Sequence, residues 1–154
     1  MKITDKLHHR PPYLLLQKVL SHTKNELLAE SVFTGEEFFL SGHFPDTPVV
    51  PGAMMQEMTT QAGGLLITLH HSPVPDYNSL TTKGWALGVL RAIHSARYKN
   101  FARPGDKLSI CVTLMDQMEN SFRFIGKILV EDKKIMSNEF TLMNISENQL
   151  KGIL

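Results

Sequence analysis

Alternating apolar and polar residues mark much of the chain, especially its second half. A period of two is typical of strands with one buried face. Short polar breaks at Glu119-Asn120 and Asp132-Lys133 predict hairpins between the last three strands. Apolar runs flank a break at Asn25 in the first half and predict two earlier strands. The six predicted strands are 13–20, 26–34, about 85–97, 106–117, 121–131 and 134–145.

One segment has helical instead of strand periodicity. From Gly52 to about Leu69, apolar residues recur at spacings of three and four. They spread around most of the helix, which predicts burial on several sides. Pro51 suits the first helical position. The pair Gly63-Gly64 is expected to weaken the helix locally and to permit a close backbone approach.

Two loops flank this helix. The segment 35–52 contains three prolines among phenylalanines and valines, so we expect an irregular loop packed on a core, a common setting for functional groups. The segment 70–84 is predicted as a second long loop. One buried helix among runs of antiparallel strands predicts an α+β fold, formed by a single domain over residues 1–154.

Composition and charge restrict the possible functions. The 154 residues carry 16 basic and 15 acidic side chains, a net charge of +1, which gives no global attraction for nucleic acid. The single cysteine, Cys111, excludes an intrachain disulfide and fits a reducing compartment. The N-terminal residues 1–12 are polar and contain no apolar core of signal-peptide length, and no apolar stretch reaches the ~20 residues of a membrane span, so a cytoplasmic protein is expected. The histidine pairs are adjacent in sequence, and adjacent residues are poorly placed to share one metal ion.

Three polar residues surround the start of the helix. His43 lies in the proline-rich loop, Glu57 follows 14 residues later, and Gln61 lies one turn beyond Glu57 on the same helix face. A buried carboxylate is costly unless it is paired or hydrogen-bonded. Spacing alone does not distinguish these residues from ordinary surface groups.

A longer pattern does distinguish them. The run GHFPDTPVVPGAMMQEMTTQAGGLL, residues 42–66, closely resembles the signature of the 3-hydroxyacyl-acyl carrier protein dehydratases of the FabZ type. HRPPYLLLQKVL at 9–20 and SARYKNFARPGDKL at 95–108 also resemble segments of that family. Departures include Asp46-Thr47 and Gln17, where the family often has other residues. The related FabA type has Asp where this chain has Glu57.

The resemblance implies a hotdog fold, in which a curved antiparallel sheet wraps one central helix. It implies dehydration of a 3-hydroxyacyl thioester, with His43 and Glu57 as the catalytic acid–base pair. Gly52, Gln61 and Phe44 are the expected oxyanion and substrate-binding residues. The substrate is expected on phosphopantetheine, with neither a resident cofactor nor a metal. The family also implies a homodimer whose sites combine histidine and carboxylate from two subunits, with a trimer of dimers as a further assembly.

The expected partner is an acyl carrier protein. Arg91, Lys99 and Arg103 are candidates for contacting its acidic surface, although a solvated charged face is the simpler explanation for them. Two other functions fit a hotdog fold. One is an acyl thioesterase that activates water with a similar carboxylate, and the other is a catalytically silent acyl-binding subunit.

Overall fold

Six antiparallel strands form one sheet in the computed structural model, which describes residues 1–152. The strands are β1 (Lys18–His22), β2 (Glu26–Val32), β3 (Trp85–Tyr98), β4 (Lys107–Met118), β5 (Ser121–Val130) and β6 (Lys133–Ser146). The helices are α1 (Ile3–Lys6), α2 (Gly52–His70) and α3 (Glu147–Leu150). In space the strand order is β1-β2-β4-β5-β6-β3. The predicted hotdog architecture is therefore confirmed, and the short helices α1 and α3 are additions to it.

Helix α2 forms the centre of the core and contacts five of the six strands, β2 to β6. Its residues from Met55 to Thr68 are buried with few exceptions, as the spread of apolar positions predicts. Pro51 precedes the helix as its N-cap and is not its first residue. The helix runs through Gly63-Gly64 without a break.

The expected close backbone approach occurs at Gly64. A Cβ added to Gly88 of β3 would lie 2.6 Å from the Cα of Gly64, so neither backbone leaves room for a side chain. Gly88 has a φ of +73°, a conformation that glycine adopts easily, and it lies at a register shift of β3 against β6. The two glycines therefore allow the backbone at the beginning of β3 to pack directly against the backbone of α2.

The predicted start of the first strand is wrong. Strand β1 begins at Lys18, five residues later than predicted, although Gln17 just before it bonds to Ser31 and Val32 of β2. In this stretch, side chains and not a neighbouring strand form hydrogen bonds with the backbone of Leu15. The N–H of Leu15 donates to Oε1 of Gln61 at 2.9 Å, and the hydroxyl of Ser31 donates to the carbonyl of Leu15 at 2.7 Å. The apolar run is buried without forming a strand.

Strand β3 is one edge of the sheet. It pairs with β6 on one side, and within residues 1–152 no strand pairs with its other side. Its 14 residues include the exposed apolar side chains of Leu90, Ile93 and Tyr98. A long apolar edge strand is prone to pair with another chain. This edge is therefore a natural place for an interface.

Candidate active site

His43 lies in the loop between β2 and α2, which is closed by hydrogen bonds across its base. The N–H of Val49 donates to the carbonyl of His43 at 2.9 Å, and the ring Nδ1 of His43 lies 2.9 Å from the carbonyl of Val49. A carbonyl only accepts, so Nδ1 carries the proton in this contact. In the neutral ring, Nε2 is then unprotonated. The loop thus presents His43 as a base with a defined orientation.

The cavity beside His43 has a volume of about 420 Å³ and includes the N-terminus of α2. Gly52 and Phe44 both line it, as does Tyr98 from the end of β3. The N–H of Gly52 lies in the first turn of α2, where backbone donors have no partner within the helix and face the positive end of its dipole. A Cβ at Gly52 would lie 3.0 Å from the Tyr98 ring. Glycine therefore keeps this donor close to the cavity.

Glu57 opens into a different and larger cavity of about 790 Å³. Its side chain is 15% exposed. The Gln61 side-chain amide donates to Oε1 of Glu57 at 3.0 Å, and Nε2 of His9 lies 3.4 Å from the same oxygen. Residues 85–90 of β3 form an apolar wall of the cavity, and Lys83, Glu147 and Lys151 also line it. The arrangement suits a carboxyl group that acts beside an apolar chain.

Gln61 is fully buried and lines neither of these cavities. Its amide donates to Glu57 and, at 2.8 Å, to the carbonyl of Tyr13. This geometry fits a supporting hydrogen bond better than direct contact with substrate. Phe44 is 56% exposed and stacks on the His43 ring, with centroids 4.5 Å apart. Phe44 is therefore placed to meet a ligand beside His43.

The predicted carrier-binding residues separate into two places. Lys99 lines the His43 cavity, and Arg103 lies 5.7 Å above the ring of Phe101 in an adjacent groove that Phe44 also lines. Arg91 is exposed on β3 and lines neither space. Lys99 and Arg103 thus flank His43, whereas Arg91 lies apart from them.

His9 and Tyr13 are site residues that sequence reasoning missed. Both line the Glu57 cavity, and their rings stack with centroids 6.0 Å apart. Burial, followed by the neighbouring Glu57 carboxylate, raises the pKa of Tyr13. Both residues belong to the segment 9–20, and the resemblance of that segment to the FabZ family was the available signal.

Residues 1–152 contain neither a membrane-spanning helix nor a metal-binding cluster. No helix in this range combines the length and apolarity needed to cross a membrane. Within the same range, no cluster of three or more His, Cys, Asp or Glu side chains is arranged to hold a metal ion.

Comparison with known sequences identifies the family. Residues 7–139 match the FabA-like domain. A 3-hydroxyacyl-[acyl-carrier-protein] dehydratase FabZ of Legionella pneumophila (strain Lens) is 34% identical over 128 residues, which cover 82% of this chain and 81% of the relative. The chain belongs to the FabA-like family. A 3-hydroxyacyl-[acyl-carrier-protein] dehydratase FabZ of Verminephrobacter eiseniae is 33% identical over 149 residues, which cover 94% of this chain and 94% of the relative.

Solved structures agree on the fold. The dehydratase heterocomplex ApeI:P from Xenorhabdus doucetiae superimposes with a TM-score of 0.80 at 19% identity, covering 99% of this chain and 97% of the other. A hypothetical thioesterase with coenzyme A from Streptococcus pneumoniae gives 0.60 at 14% identity, covering 84% and 85%. At these identities the likeness concerns the hotdog fold alone, which dehydratases and thioesterases share.

Proposed function

We propose that this FabZ-type chain removes water from a 3-hydroxyacyl thioester on acyl carrier protein to give a trans-2-enoyl thioester. The reaction would serve fatty acid or related acyl-chain biosynthesis, in the cytoplasm. The names of the Legionella and Verminephrobacter relatives support the reaction class. The retained pair His43 and Glu57 favours it over a silent acyl-binding subunit.

Three groups divide the chemistry in this proposal. Nε2 of His43, left unprotonated by the bond from Nδ1 to Val49, takes the proton from C2 of the substrate. The N–H of Gly52 donates to the thioester oxygen as charge develops there. Glu57 protonates the hydroxyl leaving C3, and the electron pair from the broken C2–H bond forms the C2–C3 double bond. The proton on His43 returns to Glu57 through solvent before the next turnover.

The observation that carries the proposal is the position of β3 between the two cavities. Its first residues, 85–90, line the Glu57 cavity, and its last residue, Tyr98, lines the His43 cavity. Leu90 and Tyr98 are about 26 Å apart along an extended strand. If two copies pair their free β3 edges antiparallel about a twofold axis, the beginning of each strand meets the end of the other. The Glu57 cavity of one copy then adjoins the His43 cavity of its partner.

A homodimer is therefore part of the proposed function. Its solution mass should be twice the 17.4 kDa of the chain, or six times that mass for a trimer of dimers. Light scattering of the eluting protein measures this directly. The Xenorhabdus doucetiae dehydratase is a heterocomplex. A chain that stays monomeric would contradict the homodimer and direct the search to a second, different subunit.

The carrier would approach from the side of His43. Lys99 and Arg103 lie beside that cavity and its adjacent groove, where they can meet the acidic surface or the phosphate of a phosphopantetheine arm. Arg91 would contact the carrier only from a separate surface. The reacting groups of the proposal all belong to the chain and the thioester, so no resident cofactor takes part.

The test offers 3-hydroxyacyl and enoyl thioesters on acyl carrier protein and on coenzyme A. Enoyl formation is followed by ultraviolet absorbance, and free thiol by a colorimetric reagent. We expect enoyl product without thiol release, together with the reverse hydration. Thiol release without enoyl formation would assign the chain to the thioesterases. Absence of both reactions with every carrier would contradict the proposal.

A further inference from the structure

Two side chains from the segment before β1 reach the proposed acid, Glu57. Nε2 of His9 lies 3.4 Å from Oε1 of Glu57, and the His9 ring stacks on Tyr13 at an interplanar angle of 19°. All three side chains line the same 790 Å³ cavity. Gln61 donates to the same Oε1 from the helix. The carboxyl group is therefore contacted from two elements that are distant in sequence.

The surroundings of His9 determine which ring nitrogen carries the proton. Nδ1 of His9 is buried and has no hydrogen-bond partner, whereas Nε2 faces a carboxyl oxygen. That oxygen accepts hydrogen bonds, so the contact is attractive when Nε2 carries the proton. Nδ1 then bears a lone pair, and no buried N–H is left without an acceptor. With its proton on Nε2, His9 thus directs a donor toward Glu57.

Tyr13 is the second side chain of this segment that lines the cavity with Glu57. Burial and then the Glu57 carboxylate raise the pKa of Tyr13, so its phenol keeps its proton and is available as a donor. The side chain is 44% exposed, with its ring between those of His9 and Phe38. Its hydroxyl therefore has little role in the core, and removing it should leave the fold intact.

The backbone of this segment is held independently of the two side chains. Gln61 bonds to the carbonyl of Tyr13 at 2.8 Å and to the N–H of Leu15 at 2.9 Å. Arg10 donates to the hydroxyl of Ser79 at 3.0 Å. Exchanging the side chain of His9 or Tyr13 should therefore leave the segment in place.

We infer that His9 and Tyr13 are positioning residues for Glu57, and that the donors from His9 and Gln61 fix which of its two oxygens acts on substrate. Both of these donors converge on Oε1. An oxygen that accepts a hydrogen bond from Gln61 and faces a second nitrogen donor, on His9, is the carbonyl oxygen of the acid, so the acidic proton lies on Oε2. Oε2 delivers that proton to the departing hydroxyl. The expected change in kcat rests on the proposed dehydration, but the contact between His9 and Glu57 can be measured without turnover.

The kinetic test uses substitutions that place a donor at one ring nitrogen or the other. Gln in place of His9 puts an amide near the position of Nε2, and Asn puts it near Nδ1. We expect His9→Asn and His9→Ala to lower kcat about tenfold or more, with KM little changed. His9→Gln should recover most of that loss, and Tyr13→Phe should lower kcat several-fold. His22→Gln, on an exposed histidine bonded to His70, is the matched control and should be silent.

Two kinetic results would overturn the inference. One is unchanged kcat in His9→Ala, and the other is a loss in His9→Gln as large as that in His9→Asn. Thermal unfolding accompanies each variant, because a merely structural role would lower Tm for all three substitutions of His9 without discriminating Gln from Asn.

A spectroscopic test separates this inference from the proposed function. Nitrogen-15 NMR of the histidine rings distinguishes the Nε2-protonated from the Nδ1-protonated neutral ring, without any turnover. We expect the Nε2-protonated form for His9, with ring shifts that change in Glu57→Gln. An Nδ1-protonated ring, or shifts indifferent to Glu57→Gln, would overturn the positioning role. A wild-type protein without dehydratase activity would refute the proposed function, and the NMR result would still decide the contact.

Discussion

If each site takes His43 from one copy and Glu57 from its partner, two inactive variants should restore each other. A mixed dimer of His43→Ala and Glu57→Gln chains contains one site with both substitutions and one site with neither. If both residues acted within one chain, each site of the mixed dimer would lack one group. Complementation therefore tests the proposed pairing of the two β3 edges. This pairing would bring the Glu57 cavity of one chain next to the His43 cavity of the other, although the two cavities are separate within each chain.

The expected activity follows from this geometry. Each parent variant should lose about 10²- to 10⁴-fold in kcat, the usual contribution of a general acid or base. A mixed dimer isolated with two different affinity tags should have about half the wild-type activity, because one of its two symmetry-related sites is intact. Random assembly of equal amounts should give about one quarter, because half of the dimers are mixed.

The assay co-expresses the two tagged variants, isolates the doubly tagged species and follows enoyl formation. A reference sample carries both tags on wild-type chains, so the tags themselves are controlled. A doubly tagged species no more active than the parents would refute the shared site, provided that its mass is that of a dimer. Restoration in a monomer would equally contradict the argument, since it requires two chains.

Three further predictions concern the fold and its titratable groups. Gly88→Ala should lower the free energy of unfolding, measured by urea titration, by ~1–3 kcal/mol more than Gly84→Ala. Both glycines have a positive φ, but only a Cβ at position 88 would clash with the backbone of Gly64, so equal losses would contradict this reasoning. Burial lowers the pKa of His8 below its ordinary 6.5, so unfolding takes up protons and stability should fall as pH drops below about 6.5. His8→Gln should flatten that slope, and an unchanged slope would refute the assignment. Burial raises the pKa of Cys111, so alkylation at neutral pH should be slower in the folded than in the unfolded chain.

The strands were predictable because their periodicity is a local property. Five of the six predicted strands begin within one residue of the observed ones, and their hairpins fall at the predicted breaks. The first strand was misplaced because the apolar run after Pro12 is buried and extended like a strand. Its hydrogen bonds go to the side chains of Gln61 and Ser31, which are distant in sequence. Hydrophobic periodicity indicates which residues are buried, but it does not indicate which groups form hydrogen bonds with the backbone.

The candidate site was predictable only in part for a similar reason. The family resemblance selected His43, Gly52 and Glu57, and the structure brings the first two to one cavity. The role of His9 was not predictable, because its contact with Glu57 joins residues 48 positions apart in the sequence. The separation of His43 from Glu57 within one chain is also a tertiary property.

Gln61 explains why the Glu57 contacts must be tested through His9 and Tyr13. Its amide nitrogen donates to Glu57 and to the carbonyl of Tyr13, while its oxygen accepts from the N–H of Leu15. Replacing it with an apolar residue would leave buried backbone groups without partners, at ~1–3 kcal/mol for each group. A loss of activity in such a variant would combine a displaced segment with a disoriented carboxyl group. The ring of His9 has one polar contact, to Glu57, so its exchange leaves the hydrogen bonds that hold the segment in place.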